Sequence, residues 1–319
     1  MNITILAFNY GYAGRFVNGP GMCLVNFVKF LNKEKPESKI KIFTVLKPAK
    51  NDWHPARQLK DDKTLYAAIA NSDVVHVWSG MTSAIIKAVN FANKLDKKVI
   101  IGPNVLDTVE FKKEERFLSK IRYDRVLAVN QRLLFKIAKE HNISPSVMSV
   151  YMVGPDVDLW SPSDERDGTI LWKGNGRQYV KDVGFARKVE KKLRGKYKFK
   201  FIGDPRPYDY FGHIKEAKKS KLMIVTSLSE TMGLAMMESW CAGTPSVSHP
   251  KIYMHGENYK TGIITNKTAD EYCNVIEEIM ENDSFYQYLS LECKNFISKN
   301  FSAKVTIEKY MKILEGGYE

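Results

Sequence analysis

The feature that most constrains the fold is a repeated alternation of short β-rich runs with longer helical stretches. Strands are predicted at 3–9, 41–46, 73–78, 99–102, 125–130 and 149–153, and helices at 22–31, 64–70, 82–95 and 131–140. Apolar, β-branched runs separated by amphipathic stretches are typical of parallel sheets with crossover helices. The first half of the chain therefore predicts one doubly wound α/β domain.

The alternation pauses once, at 154–168, where Pro, Asp, Gly and Ser predict turns and a linker. Beyond it, strands are predicted at 169–174, 197–203, 222–227, 245–248 and 262–265, and helices at 180–194, 213–219, 233–242, 269–281 and 301–319. A length of 319 residues also favours two domains. We expect two Rossmann-like domains, 1–153 and 154–300, whose parallel sheets face a central cleft, with ligands at the carboxyl ends of the strands.

Composition excludes several other classes of protein. With 44% hydrophobic and 27% charged residues the chain is neither disordered nor fibrous. Its four cysteines form no CxxC pair, so neither a disulfide framework nor a structural zinc site is indicated. No apolar run has the length of a membrane span and the start lacks a basic signal region, so we expect a cytoplasmic protein.

The charge is strongly basic: 49 Lys and Arg face 36 Asp and Glu, a net charge of +13. The first 160 residues hold 24 basic and 15 acidic residues, so most of the excess lies there. Such a field favours an anionic partner, whether a nucleotide, a lipid surface or nucleic acid.

The most informative segment is 227–247, SLSETMGLAMMESWCAGTPSV. Gly233 opens a predicted helix, whose unpaired N–H groups and positive dipole end favour a phosphate that the small residue lets approach closely. Glu238 lies near the apolar face of that helix, where a carboxylate needs hydroxyl or cationic partners. Glu230 precedes the helix. A solvated Glu230 and a salt-bridged Glu238 are the structural alternatives.

The motif E-T-M-G-L-A-M-M-E, followed by A-G-T-P, resembles the donor site of retaining GT-B glycosyltransferases, in particular family 4. The resemblance implies that Glu238 holds the ribose hydroxyls of a nucleotide-diphosphate sugar and that Glu230 contacts the transferred sugar. It places the diphosphate near three backbone amides, those of Met232, Gly233 and Leu234. It also implies that the first domain binds the acceptor, that the second binds the sugar donor, and that the helix at 301–319 crosses back to the first domain.

Two further segments are similar to those of the same family. The segment Gly176-Arg177-Gln-Tyr-Val-Lys181-Asp182 resembles G-R-(x)n-K-G, which implies that Arg177 and Lys181 are catalytic cations that neutralise the diphosphate; Asp182 replaces the usual Gly. Residues 150–162 resemble the interdomain segment. There 156–158 reads DVD, like a metal-binding DxD, but its place in a linker favours a turn. We therefore expect no required metal and no cofactor.

The opening loop is rich in glycine and runs into the first predicted helix. It resembles the glycine loop of the family, which implies that Gly19 and Gly21 approach the donor phosphate. The third glycine of a GxGxxG fingerprint is missing, so a dehydrogenase is not indicated. Candidate acceptor contacts are Arg15, His76, Asn104, Lys112, Arg116 and Lys120. A histidine within a β run is otherwise a core residue.

The predicted function is transfer of a sugar from a nucleotide-diphosphate donor to an acceptor hydroxyl, with retention of configuration. The amphipathic basic segment at 111–122 suggests an anionic acceptor or a lipid at the membrane face. A viral-type enzyme that glycosylates modified DNA bases is one alternative. A catalytically silent protein that binds sugar nucleotides or nucleic acid is another, since a fold does not determine a function.

Overall fold

The structure is a computed structural model that describes residues 1–10, 19–48, 54–60, 62–103, 118, 121–161, 166–205, 210–230, 233–250, 252 and 260–317. The chain divides into two compact units. The first comprises Met1–Val153 with Ala303–Glu319, and the second comprises Gly154–Ser302. Within the described ranges, no helix has both the length and the apolar character needed to cross a bilayer.

The first unit is built on a seven-stranded parallel sheet of order β3-β2-β1-β4-β5-β6-β7. Its strands are β1 (Asn2–Ala7), β2 (Lys39–Thr44), β3 (Ala56–Gln58), β4 (Val74–Val77), β5 (Lys98–Ile101), β6 (Arg125–Ala128) and β7 (Met148–Val150). Its helices are α1 (Gly19–Glu34), α2 (Lys63–Ala70), α3 (Ser83–Lys94), α4 (Gln131–His141) and, from the end of the chain, α10 (Ala303–Leu314). A 3₁₀ turn spans Pro145–Val147.

Local sequence explains most of these boundaries. Asp62, Thr82 and Asn130 each accept a hydrogen bond from a backbone N–H in the first turn of α2, α3 and α4, as N-cap residues do. Strand β4 is buried along its whole length, which is why it is a continuous apolar run interrupted only by His76. The edge strand β3 was not predicted, because its three residues carry no apolar pattern.

Helix α1 starts at Gly19, three residues before the predicted start at Met22. Pro20 in its first turn costs nothing, since a helix start has no use for that N–H. The final helix α10 packs on α1, with the Phe27 and Tyr310 ring centroids 4.8 Å apart. The end of the chain therefore completes the core of the first unit.

The second unit is built on a five-stranded parallel sheet of order β12-β11-β10-β8-β9. Its strands are β8 (Ile170–Lys173), β9 (Phe199–Ile202), β10 (Leu222–Ile224), β11 (Ser246–Ser248) and β12 (Gly262–Ile264). Its helices are α5 (Val183–Lys192), α6 (Tyr210–Lys219), α7 (Leu234–Cys241), α8 (Ala269–Glu281) and α9 (Asp283–Phe301), with a 3₁₀ turn at Tyr179–Lys181.

Helix α9 was missed by the sequence analysis. Its buried positions, Tyr286, Leu289, Ser290, Cys293 and Ile297, recur at helical spacing. The polar residues between them make the segment look unstructured. The spacing alone would have revealed the helix, and Asn282 caps it by accepting from the N–H of Phe285.

The two neighbouring strands β8 and β10, in the middle of the second sheet, position the segments that carry the candidate site. Strands β8 and β10 are neighbours, and both are buried against apolar side chains that include Ala186, Val189, Ile276 and Leu289. Both strands run in the same direction, so their carboxyl ends lie at the same edge of the sheet. The segments that follow them, 173–182 and 225–233, carry most of the predicted site residues of the second unit.

Candidate active site

The start of α7 is shaped by Gly233. This residue adopts a left-handed conformation with φ at +58°, and it caps the helix without any side-chain hydrogen bond. A Cβ at this position would lie 3.0 Å from the Met236 Cε, so any other residue would be strained as well as crowded. The N–H groups of the first turn, from Leu234, therefore receive no hydrogen bond from a side chain at position 233, and N–H groups at a helix N-terminus can bind an anion.

Glu238, in the middle of α7, is buried with 2% of its surface exposed. Lys173, the last residue of β8, donates a hydrogen bond from Nζ to Glu238 Oε2 over 2.6 Å. The ion pair that the sequence analysis left open as an alternative is therefore present. Lys173 itself was missed, although a lysine closing the apolar strand I-L-W-K is a signal for a buried partner of opposite charge.

Besides Lys173, two buried aromatic residues lie close to Glu238. His213 on α6 is fully buried, with Nδ1 3.9 Å from Glu238 Oε2 and its ring centroid 4.9 Å from that of Trp160. Burial lowers the pKa of His213 far below its usual value, and the nearby Lys173 lowers that pKa further, so the ring is neutral. Burial raises the pKa of the Glu238 carboxyl, while Lys173 acts in the opposite direction.

Glu230 and Lys181 meet where the segments after β8 and β10 come together. Lys181 Nζ donates to Glu230 Oε1 over 2.5 Å, and the Ser227 hydroxyl donates to the same oxygen over 2.7 Å. Both charged side chains are partly buried. Arg177 is exposed, and its backbone N–H donates to Asn175 Oδ1 over 3.1 Å. The structure thus joins Glu230 to Lys181 and leaves the Arg177 side chain on the surface.

Asp182 explains how this chain dispenses with the usual glycine after Lys181. It lies in the left-handed region at φ +46° and ψ +52°. Its Oδ1 accepts from the N–H of Phe185 and caps α5, while Oδ2 lies 2.6 Å from Lys267 Nζ. Aspartate tolerates this conformation better than most residues because its short side chain bonds locally. The Lys181 turn is therefore held by a cap and an ion pair.

The 156–158 segment forms a turn, as expected from its place in the linker. The N–H of Trp160 donates to the carbonyl oxygen of Asp156 over 3.0 Å, and residues 157–160 form the turn. Trp160 is fully buried and packs on His213. The linker thus contributes to the wall around Glu238.

His76 was wrongly considered as an acceptor contact. It is fully buried in β4, with Nε2 2.7 Å from the Gly102 carbonyl oxygen and Nδ1 2.9 Å from the Tyr310 hydroxyl. A carbonyl only accepts, so Nε2 carries the hydrogen and Nδ1 accepts from Tyr310. Burial lowers the pKa of His76 to about 4. Both nitrogens are committed to the core, and no surface remains for a substrate.

Gly19 and Gly21 lie in the first turn of α1 rather than in a loop. Among the described residues, no atom lies within 4 Å of a Cβ placed on Gly19, whereas Gly21 is buried. The role of both glycines toward phosphate stays a prediction. Six candidates lie outside the described residues: Arg15, Asn104, Lys112, Arg116, Lys120 and Met232.

Comparison with known proteins supports a glycosyltransferase fold. No protein-family model matches the chain. A protein of Methanocaldococcus jannaschii, described as an uncharacterized glycosyltransferase, is 24% identical over 246 residues, which is 73% of this chain. The match spans only 57% of the length of that relative.

Solved structures of similar fold can be superposed on nearly the whole chain. HepE from Anabaena, in complex with UDP and glucose, matches with a TM-score of 0.72 at 12% identity and covers 99% of both chains. An α-glucosyltransferase in complex with UDP and a 13-mer DNA matches with a TM-score of 0.71 at 10% identity, also over 99% of both chains. The predicted α/β fold of the GT-B type and the resemblance to these glycosyltransferases are confirmed.

Proposed function

We propose that this protein is a glycosyltransferase that moves a sugar from a nucleotide-diphosphate sugar to an acceptor hydroxyl, with retention of configuration. The observation that carries the proposal is the arrangement around the start of α7: Glu230 paired with Lys181 before the helix, and the buried Glu238 within it. One acid before a helix start whose N-cap residue is a glycine, and a second acid within that helix, suit a ligand with a sugar at one end, a ribose at the other and phosphates between them.

Each group has a chemical task in this proposal. Glu238 accepts hydrogen bonds from the ribose hydroxyls, which satisfy a buried carboxylate. The amides at the start of α7, with Lys181 and Arg177, neutralise the diphosphate. Lys181 Nζ lies 2.5 Å from Glu230 Oε1, so a phosphate-binding cation and a hydrogen-bond acceptor for sugar hydroxyls occupy adjacent positions.

The transfer proceeds without a protein base. The bond between the anomeric carbon and the phosphate oxygen breaks, and the acceptor oxygen bonds to that carbon on the same face. The departing phosphate oxygen takes the acceptor proton. Fixed cations and helix amides stabilise the negative charge that develops on the leaving diphosphate. These groups supply the charge that a metal would supply, so no metal is required.

The comparisons suggest which sugar donor to test first. The solved structures of HepE and of the α-glucosyltransferase each contain UDP, so UDP-sugars are the first choice. The acceptor is proposed to be anionic, because the net charge is +13 and most of the basic excess lies in the first 160 residues. A glycan or lipid intermediate at the cytoplasmic membrane face fits this charge.

DNA is the second candidate acceptor, favoured by the solved complex of a similarly folded enzyme with DNA. Binding to phosphates releases counterions, so DNA affinity would fall steeply with salt. Salt-insensitive or undetectable DNA binding would remove this candidate. Binding to anionic vesicles that is unchanged when Lys112, Arg116 and Lys120 are replaced together by Gln would count against the lipid candidate.

The test begins with thermal unfolding in the presence of UDP-, GDP- and ADP-sugars, because a true sugar donor stabilises the folded state. The sugar donor that binds is then used to measure hydrolysis. We expect Glu230→Ala to lose roughly 100-fold or more in hydrolysis while nucleotide binding persists. Glu278→Ala, at an exposed acid on α8, is the matched control and should keep full activity.

Two outcomes would change the conclusion. Equal hydrolysis by the wild type and Glu230→Ala would remove the role given to Glu230. Binding of a sugar nucleotide with neither hydrolysis nor transfer by the wild type would favour the catalytically silent binding protein.

A further inference from the structure

We propose that Lys173 is a positioning residue of the nucleotide site, which holds the Glu238 carboxylate charged and oriented toward the ribose hydroxyls. The inference rests on the proposed function, since it concerns the same ligand. It adds a residue that lies outside the motifs identified in the sequence analysis, and it predicts which part of the ligand that residue controls.

Lys173 and Glu238 form a short ion pair that is almost completely buried. Lys173 Nζ and Glu238 Oε2 are 2.6 Å apart, and the two side chains are only 8% and 3% exposed. They come from different elements, the end of β8 and the middle of α7, and are 65 residues apart in sequence. The contact therefore fixes the middle of α7 against the edge of the sheet where ligands bind.

Stability alone is a poor reason for such a pair. Removing two charges from water costs about as much as their attraction returns, and apolar pairs of similar volume are often as stable or more so. A buried ion pair at the ligand-binding edge of an α/β sheet is better explained by the need for a charge there. The ribose diol is the part of the ligand that a carboxylate recognises best.

The other titratable groups that the structure describes near Glu238 do not offset its negative charge. His213 on α6 is neutral, as its burial and its low pKa require. Cys241 lies one turn further along α7 and is buried, and burial raises the pKa of its thiol. The linker contributes the buried Asp156, which acts electrostatically on that same thiol. Among the described residues that face Glu238, Lys173 is the cation that offsets its charge.

The pair also divides the carboxylate between two partners. Lys173 donates to Oε2, and the other carboxylate oxygen, Oε1, can accept further hydrogen bonds. We assign Oε1 to the ribose hydroxyls. The bond at Oε2 holds the carboxylate in one orientation. Without Lys173, burial favours the protonated form of Glu238, which is a weaker acceptor and is free to rotate.

The experiment compares a nucleoside diphosphate with its 2′,3′-dideoxy form. Binding of UDP, GDP and ADP to the wild type is measured by titration calorimetry, and the best ligand is then compared with its dideoxy analogue. We expect the wild type to prefer the natural nucleotide by roughly tenfold or more, the effect of hydrogen bonds to a charged group. In Lys173→Met this preference should fall below about threefold, with affinity for the dideoxy form unchanged.

Two variants separate a positioning role from a structural one. Lys173→Arg keeps the charge and should keep most of the preference. Lys181→Met is the matched control: because Lys181 is assigned to the diphosphate, it should weaken both nucleotides equally and leave the preference intact. If Lys173→Met does not fold, Lys173→Gln, which keeps an N–H donor without the charge, is measured with the same expectation.

The outcomes distinguish this inference from the proposed function. Equal weakening of both nucleotides by Lys173→Met, or an unchanged preference, would overturn the role of Lys173 while leaving a nucleotide-binding protein. No binding of UDP, GDP or ADP by the wild type would overturn the proposed function and this inference with it.

Discussion

Asp182 offers the sharpest test of how this structure holds the turn at Lys181. The residue combines a left-handed backbone at φ +46°, an N-cap hydrogen bond to α5 and an ion pair with Lys267. Three substitutions separate these contributions. Asn keeps the cap and the backbone tolerance, Gly keeps only the backbone tolerance, and Ala keeps neither.

The expected losses follow from these differences. The ion pair is partly exposed, with side-chain exposures of 20% and 29%, so its removal in Asp182→Asn should cost about 0.5 to 1 kcal/mol. Asp182→Gly adds a few tenths for the cap, giving about 1 kcal/mol. Asp182→Ala loses the cap and forces a Cβ into the left-handed region, so we expect about 2 to 3 kcal/mol.

Urea unfolding followed by tryptophan fluorescence suits this comparison. Trp172 Nε1 donates to Thr226 Oγ1 over 2.9 Å, and the Thr226 hydroxyl lies 3.1 Å from the carbonyl oxygens of Lys181 and Asp182. The probe is therefore close to the perturbed turn. The Asn variant should approach the wild type in 1 M salt, where screening weakens the ion pair. Asp182→Ala within 0.5 kcal/mol of Asp182→Asn would refute the reasoning.

Two further predictions concern stability. Gly262→Ala should destabilise the protein by roughly 3 kcal/mol or more, because a Cβ there would lie 1.9 Å from the Ser246 carbonyl oxygen. Gly168→Ala is also at positive φ, but no atom of the described residues lies within 4 Å of its Cβ, so it should cost only about 1 to 2 kcal/mol in urea unfolding. Equal losses for the two variants would contradict this account. The pKa of His76 is lowered to about 4 in the folded state, so its contribution is complete above pH 6.5 and is lost as the pH falls toward 4, by about 3 kcal/mol. His76→Gln should remove that part of the acid sensitivity, and parallel stability curves for the two proteins between pH 7 and 4 would contradict it.

Much of the fold could be predicted from local sequence patterns. The βα alternation located the major strands of both sheets and the helices that cross over them, because burial of both faces of a parallel sheet requires apolar runs. The capping residues and the glycine at the start of α7 are equally local. Helix α9 was not predicted because polar residues separate its buried positions in the sequence. These positions line up on one face only when the residues are placed at helical spacing.

The candidate site residues also divide into those that local sequence could predict and those that it could not. Glu230, Glu238 and Lys181 could be proposed from spacing and resemblance, since a motif records residues that are near in sequence. His76 could not be assigned in this way. Its partners are the carbonyl of Gly102 and the hydroxyl of Tyr310, and the second of these is 234 residues away.

What the sequence by itself determined is the alternation of strands and helices, the break between the two units and the acidic motif around α7. Only the tertiary structure decided that Lys173 faces Glu238, that His76 belongs to the core and that Asp182 adopts the conformation of a glycine. The physical reason is that periodicity and caps depend on neighbours a few residues away. The charge state and orientation of a buried side chain depend instead on partners that folding alone brings within hydrogen-bonding distance.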